Sequence, residues 1–524
     1  NQKNLTSGMQ GGIAIGYGFN KPESTLHIKG NMIVSSNVNI RGDYFKLTTN
    51  RNDDKSIFLK STSGMTIDLS GNLIETIGGD HTETVQGNLT ETILGTSSRL
   101  IKGESSETYK KDRDLVISGS LTELITGDVD ITYNNTRSLS VKLANTELYS
   151  SNRTLNISGN LVETVSGKLN YLVKNDVTQV YDNNRDITIG GNLVTAITGS
   201  NEKTIYGNID ETIKSNRTII ISGNYTETIS GFNDLTIEQN KNITVKSNNT
   251  ETYHGFRSIL ISGNLTQIIS GDNITTFTGA STETFKNNRT VTISGNLTET
   301  ITGNKTLEVT GNLFETVKLD KTILLSGNLT ETISGNKSLD VKQNSTELYN
   351  SNRQLITNGN LTETIKGNID LQINGNYNAN YAQHRTIIIS GHLRETVTGR
   401  HNKTVMSISR ETYKGNRSIT ISGSLVETIS GATTFDYFDT YDLTINDDTT
   451  CTFTQNKDVI ISGHLKETIT GQRTLLVSGN NIEEYNANRT LIISGNVTET
   501  ITGTHKLHIS GNNDETYLSN FTIS

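Results

Sequence analysis

From Gly71 to Leu518 the chain divides into 56 consecutive octads with no insertion or deletion. A typical one reads Gly327-Asn328-Leu329-Thr330-Glu331-Thr332-Ile333-Ser334. Position 7 is Ile, Val, Leu, Tyr or Phe in 55 of the 56, with Thr357 the exception, and position 1 is Gly in 37. A unit that never slips over 448 residues must stack on its own neighbours. Such a chain is a solenoid or a fibre and not a globular enzyme.

Composition agrees with a thin core. Only 32% of the residues are apolar, Trp is absent and the mean hydropathy is -0.42. So polar a chain is ordinarily disordered, yet here β-branched residues recur at a fixed phase, which disorder does not require. A narrow core shared along a long axis reconciles the two. The single proline, Pro22, fits a backbone whose donors are used in sheet pairing. The 46 basic and 54 acidic residues are finely interspersed, so no basic patch points to nucleic acid. No apolar run approaches the roughly 18 residues of a membrane span. One cysteine, Cys451, excludes an internal disulfide framework; at octad position 5 it reads as a small core residue.

Each octad closes and restarts with Ser-Gly-Asn or Thr-Gly-Asn, as at Ser326-Gly327-Asn328. The spacing predicts a corner at positions 8, 1 and 2, with Gly supplying a positive φ and Asn tolerating it. Positions 3 to 7, rich in Thr, Ile, Val and Tyr, are then a short strand. Positions 3, 5 and 7 share the inward face, and positions 4 and 6, mostly Thr, look to water. A corner in every eight residues, with Thr and Ile between corners, disfavours helix. The fold class is therefore all-β.

Two windings satisfy this pattern. A single chain can coil with three octads per turn, or three identical chains can intertwine, each giving one octad per level. A second period bears on the choice. Arg or Lys occupies position 3 in every fourth, sometimes fifth, octad, from Arg113 and Arg153 through Arg353 and Arg417 to Arg489. A four-octad cycle on a three-octad turn stacks like on unlike, whereas three-fold symmetry makes every level identical and admits any longer period. An intertwined homotrimeric triangular β-helix is expected on this ground.

The longer period also has chemical content. The octad before a basic one usually ends in an aromatic residue: Tyr109 before Arg113, Tyr149 before Arg153, Tyr349 before Arg353, Tyr413 before Arg417 and Tyr485 before Arg489. Neighbouring octads carry Leu at position 3 and Glu at position 5, as in Leu297 and Glu299. These residues predict an interchain ladder of Arg–Glu pairs with Arg stacked on the aromatic ring, fixing chain register. As exposed pairs each would add only about 0 to 1 kcal/mol. The competing reading is solvated charge at strand edges.

The run Gly79-Asp80-His81-Thr82-Glu83-Thr84-Val85-Gln86-Gly87-Asn88-Leu89-Thr90-Glu91-Thr92-Ile93 resembles the needle repeats of contractile phage tail spikes and of type VI secretion spike proteins. That resemblance implies a trimeric, intertwined, triangular β-helix for residues 71-524. Residues 1-70 differ. Gly12-Ile13-Ala14-Ile15-Gly16 and Pro22-Glu23-Ser24-Thr25-Leu26-His27-Ile28 resemble a short β segment of tail-fibre proteins that would lead into the shaft. The barrel, lysozyme and hub domains that accompany such needles are not visible, and His505-Lys506-Leu507-His508 departs from the His-x-His iron site at needle tips.

No catalytic constellation stands out, because dozens of equivalent Glu and Thr offer no site whose surroundings differ from the rest. No cofactor or metal is expected. Asn264, Asn296, Asn328 and Asn360 match the Asn-x-Thr glycosylation pattern, which corner Asn and outward Thr generate by themselves. The expected function is the structural shaft of a viral or phage tail fibre or spike, on the virion surface or otherwise extracellular. Two identical chains, a baseplate or capsid protein at one end and a receptor-binding tip at the other are the expected partners. A membrane-piercing spike of a secretion or contractile injection system, and a cell-surface appendage or adhesin, are the alternatives.

Overall fold

A computed structural model describes residues 64–523. It has 58 strands, from Gly64–Leu69 to Phe521–Ile523; the 56 octads give one each, five residues long in nearly every case and filling octad positions 3 to 7, and one further strand flanks them at either end. Among the described residues no helix is long and apolar enough to cross a membrane. Every interior strand pairs in parallel and in register with the strands one turn before and after it. Lys305–Val309, for example, lies between Ser281–Phe285 and Leu329–Ile333. Three octads thus make one turn, and the chain is a parallel β-solenoid with three sheets of 20, 19 and 19 strands. The first face begins at Gly64–Leu69, the second at Leu73–Ile77 and the third at His81–Val85. About 19 rungs at about 4.8 Å each give a rod about 90 Å long.

The inward set is the one expected. Strand Ser345–Tyr349 alternates buried and outward residues, with positions 3, 5 and 7 inside. Position 7 forms the innermost line: Ile117, Ile213, Ile301 and Val397 are all buried. Thr357 keeps its place in that line and is completely buried between Ile333 and Tyr381, its hydroxyl without a partner.

The corners work differently from the expectation of positive φ. None of the glycines from Gly95 to Gly511 takes such a backbone angle. Glycine is favoured because successive turns bring backbone onto backbone: a Cβ on Gly303 would stand 2.5 Å from the carbonyl oxygen of Gly279. Serine at position 1 instead hydrogen-bonds the corner beneath, as Ser215 Oγ does to Asn192 Oδ1 at 2.6 Å. Asparagine at position 2 has its own task. Its Oδ1 accepts the backbone N–H of the corresponding residue one turn later. Asn264, Asn288, Asn312, Asn336 and Asn360 are joined in this way, at 3.1, 2.8, 2.8 and 2.8 Å in turn. Donors that the bend removes from regular pairing are thereby satisfied.

The winding is also not the one expected. An intertwined trimer needs each strand flanked by strands of two other chains. Here both edges of each interior strand are occupied by the chain's own strands, and the rod winds upon itself. The four-octad cycle does not oppose this. Three octads before a basic octad is the same phase as one octad after it, so each class meets fixed neighbours. Arg185, Arg289, Lys321, Arg353, Arg385 and Arg489 each lie directly above the Leu of a Leu-x-Glu or Leu-x-Gln strand. The tail-fibre-like segment expected before the shaft lies outside the described residues, apart from its last few positions.

Candidate functional site

The charged residues of the long period line the inside of the rod. Position 3 of a basic octad follows position 7 of the preceding one by four residues, across one corner. That corner turns the chain by a third of a revolution, so the guanidinium swings back over the ring it has just passed. Arg113 sits 5.0 Å from the ring centre of Tyr109, Arg153 5.1 Å from Tyr149 and Arg353 5.2 Å from Tyr349. Arg417 sits 4.8 Å from Tyr413, and Arg489 5.5 Å from Tyr485. All five expected pairs meet, within one chain and not between chains. Several guanidiniums also meet a second ring: Arg153 is 5.0 Å from Tyr171, which lies above Glu147 in the strand register, and Arg353 is 5.0 Å from Tyr377, directly above it.

A third member of the unit was not recognised from the sequence. Two residues before the tyrosine, at position 5 of the same strand, stands a glutamate whose carboxylate accepts the phenol proton. Tyr109 donates to Glu107 at 2.9 Å, Tyr149 to Glu147 at 2.9 Å, Tyr349 to Glu347 at 2.8 Å, Tyr413 to Glu411 at 2.8 Å and Tyr485 to Glu483 at 2.7 Å. The same glutamates lie near the stacked arginines, as in Arg353–Glu347 at 3.6 Å and Arg153–Glu147 at 3.7 Å. Glu-x-Tyr-x-x-x-Arg is therefore the repeating interior unit. Its signal was present as glutamate and tyrosine at inward positions 5 and 7 of one octad. Phe285 replaces the tyrosine between Glu283 and Arg289; there the stacking remains and the phenol bond is lost.

Burial changes the energetics expected of exposed pairs. Arg153, Arg353 and Arg489 are buried, as are Glu107, Glu147, Glu347, Glu411 and Glu483. The buried Nε of Arg113, Arg153, Arg353, Arg417 and Arg489 has no partner. Buried pairs with incomplete hydrogen bonding add little net stability over an apolar core, but losing one partner costs about 3–5 kcal/mol. Such a lattice specifies an arrangement more than it strengthens it.

Glu411, like Glu211, is gripped by three cations. Lys403 Nζ lies 2.6 Å from it, Arg417 3.8 Å, and Arg385 pairs with it as well. Burial pushes its carboxyl up, but Arg385, Lys403 and Arg417 outweigh that and hold it well below the ordinary range. In Glu163 burial and Glu147 prevail over Arg137, and the carboxyl is raised. Cys451 is half-buried against the core on the first face, and burial pushes its thiol up to about 12.

The four glycosylation-pattern asparagines sit at corners. Asn264 and Asn360 belong to the asparagine line described above, Asn296 Oδ1 accepts from Asp320 N at 3.2 Å, and Asn328 Oδ1 from Asn352 N at 3.2 Å. Each side-chain oxygen is thus engaged in holding the next turn. Among the described residues no group of three or more His, Cys, Asp or Glu is placed to hold a metal ion.

The family described as Gp5 C-terminal repeat (3 copies) matches residues 279–302. The chain is similar there to the repeats of phage tail-spike needles. The matched segment is one full turn, from the corner at Gly279 to the corner at Gly303, and carries the Glu283-Phe285-Arg289 unit and the Leu297-Thr298-Glu299-Thr300-Ile301 strand. No curated protein and no solved structure matches the chain. Gp5-type repeats on a parallel β-solenoid fit a phage spike shaft.

Proposed function

We propose that this chain is the structural shaft of a viral or phage tail fibre or spike, holding an attachment tip away from the particle. One observation carries the reading: the solenoid continues from Gly64 to Ile523 with no irregular insertion that would build a pocket or hinge. Such a rod resists bending because each rung is bonded to the next along all three faces. It resists unravelling because its strand edges are used up everywhere except at its ends. On this reading the Glu-x-Tyr-x-x-x-Arg units fix the register between rungs. A slip by one octad, to four octads per turn, would set basic strand directly over basic strand wherever the cycle is four octads long.

Attachment to a baseplate or capsid protein at one end and a receptor-binding tip at the other belong to the same proposal, as does a place on the virion surface. A membrane-piercing spike is the second reading, favoured by the Gp5 repeat in residues 279–302.

Negative-stain microscopy of the purified chain tests the shaft and its winding together. A self-wound rod measures about 90 Å over the repeat tract. Three intertwined chains would climb one level per octad and measure about 270 Å. Compact particles with no rod would overturn the shaft reading itself.

A further inference from the structure

Corners are built mainly from Gly, Asn and Ser, yet one edge carries aromatic rings. It lies where the third face turns into the first. Tyr206, Phe232 and Phe256 stand on it in three successive turns and are 58%, 53% and 58% exposed. Phe232 follows Asn208 in the corner line, its backbone N–H bonded to Asn208 Oδ1 at 2.9 Å. Phe256 lies above Phe232, with ring centres 5.5 Å apart and planes 3° from parallel. One turn higher the same corner position is Ala280, whose methyl group is too small to cover the upper face of the Phe256 ring. Large apolar groups gathered and exposed in one place mark a contact surface.

The same edge is acidic. Asp186, Asp210 and Asp234 stack in register on the first face, two residues past the corner. Asp182 stands on the edge itself and Glu202 on the third face. All five are exposed, and none is in an ion pair with a described residue. Partial burial, then Asp234 and Asp186, raise the Asp210 carboxyl above its ordinary range. From Asp182 to Leu260 neither this edge nor any outward strand position of the two adjoining faces carries lysine or arginine. The nearest outward cations are Lys214, on the far corner of the first face, and Lys174 and Lys246, on the far corner of the third. Each is a whole strand away, about 16 Å.

We propose that this edge docks an arginine-bearing segment of another protein. The interior of the rod supplies the precedent. There a guanidinium is held by a ring and a carboxylate together: Arg153 lies 5.1 Å from the Tyr149 ring and 3.7 Å from Glu147. Phenylalanine stacks as tyrosine does, with Arg289 5.4 Å from Phe285. The outer edge presents ring and carboxylate without the cation, and the partner brings it. Phe232 precedes Asp234 by two residues and both are exposed, so one guanidinium can address the two. Arginine suits the edge better than lysine, because its planar head can lie on a ring and fork onto a carboxylate at once. Five unpaired carboxylates repel a polyanion, which excludes the opposite class of partner.

The test titrates the whole chain, by fluorescence anisotropy, into three labelled peptides of one design. Glycine alternates in them with arginine, with lysine or with citrulline, which keeps the shape of arginine without its charge. Phe232→Ser/Phe256→Ser removes the rings and Asp210→Asn/Asp234→Asn the carboxylates. Phe314→Ser/Phe438→Ser, at exposed rings elsewhere on the rod, is the control. Far-UV circular dichroism and rod length in negative stain verify that each variant folds. The arginine peptide is expected to bind the parent and the control alike, and more weakly as salt rises. The lysine peptide should bind at least fivefold more weakly and the citrulline peptide not measurably. Both edge variants should weaken the arginine peptide at least tenfold. No binding of the arginine peptide at about 1 mM overturns the proposal. So does equal binding of the lysine peptide, or binding that survives loss of both phenylalanines, since either means diffuse attraction to an acidic rod. Retention of the parent on a neutral glucan matrix, abolished in Phe232→Ser/Phe256→Ser while the arginine peptide does not bind, would assign the edge to carbohydrate and overturn it as well.

Discussion

Two stretches of the interior deal with buried charge in opposite ways. Around Glu411 one carboxylate is gripped by Arg385, Lys403 and Arg417 and accepts the phenol proton of Tyr413. Around Lys241 the arrangement is inverted and incomplete. This buried lysine stacks on Arg217 in the rung below and makes no ion pair with a described residue, although Glu227 and Glu251 line the same cavity of about 30 Å³. Burial lowers its pKa, Arg217 and Arg257 lower it further, and the two glutamates recover too little, leaving it at about 7. The fold therefore does not require each charge to be neutralised in its own rung. Charge balance is achieved locally where the four-octad cycle is regular. It fails where the basic octads of Arg217 and Arg257 stand five octads apart and Lys241 falls between them.

The comparison can be broken at its strong end. Glu411→Leu leaves three buried cations facing one another and is expected to cost about 3–5 kcal/mol, read as a lowered denaturation midpoint or as loss of amide-exchange protection in the rungs around it. Lys241→Met is the reverse case. Replacing an unpaired buried charge by an apolar side chain of similar length should stabilise the rod by about 1–4 kcal/mol at neutral pH, seen as a raised midpoint.

Titration sharpens the same contrast. Lys241 has a lower pKa folded than unfolded, so between about 7 and its ordinary 10.5 the unfolded chain binds more protons. Stability should rise with pH across that window, and Lys241→Met should flatten the rise. Glu411 also has a lowered folded pKa, and its contribution is present above the ordinary carboxylate range and lost as acid carries the pH down through the folded value. Thr357→Val, which removes a buried hydroxyl with no partner without touching a charge, should gain about 1 kcal/mol or somewhat more. The smallest effect is expected from Asn312→Ala, about 1 kcal/mol or less for one corner hydrogen bond.

Much of this was legible in the residues. Alternation within Leu-Thr-Glu-Thr-Ile sorts inside from outside, and Gly-Asn marks the corners. The four-residue spacing from Tyr109 to Arg113 brings ring and guanidinium together whichever way the chain winds. The winding itself was not legible, because a four-octad cycle gives fixed neighbours on a three-octad turn just as it does on a three-chain level. Nor was the depth of the charges. Glutamate at position 5 reads as a surface residue by composition, while its parity with Ile at position 7 places it inside. Glycine was read for its backbone freedom, but Gly303 is there because the turn beneath leaves no room for a side chain. Phase was visible in the sequence; contact between one turn and the next was not.

Because three octads close a revolution, a residue's azimuth around the rod is fixed by where its number falls in a cycle of three. Excising a single octad hardly shortens such an object. It swivels everything beyond the cut by a third of a circle, so that a stripe running along one side would resume on another. Only lengths added or lost three octads at a time leave the two ends pointing as before, and a lineage that grows its rod by copying octads is simultaneously steering it.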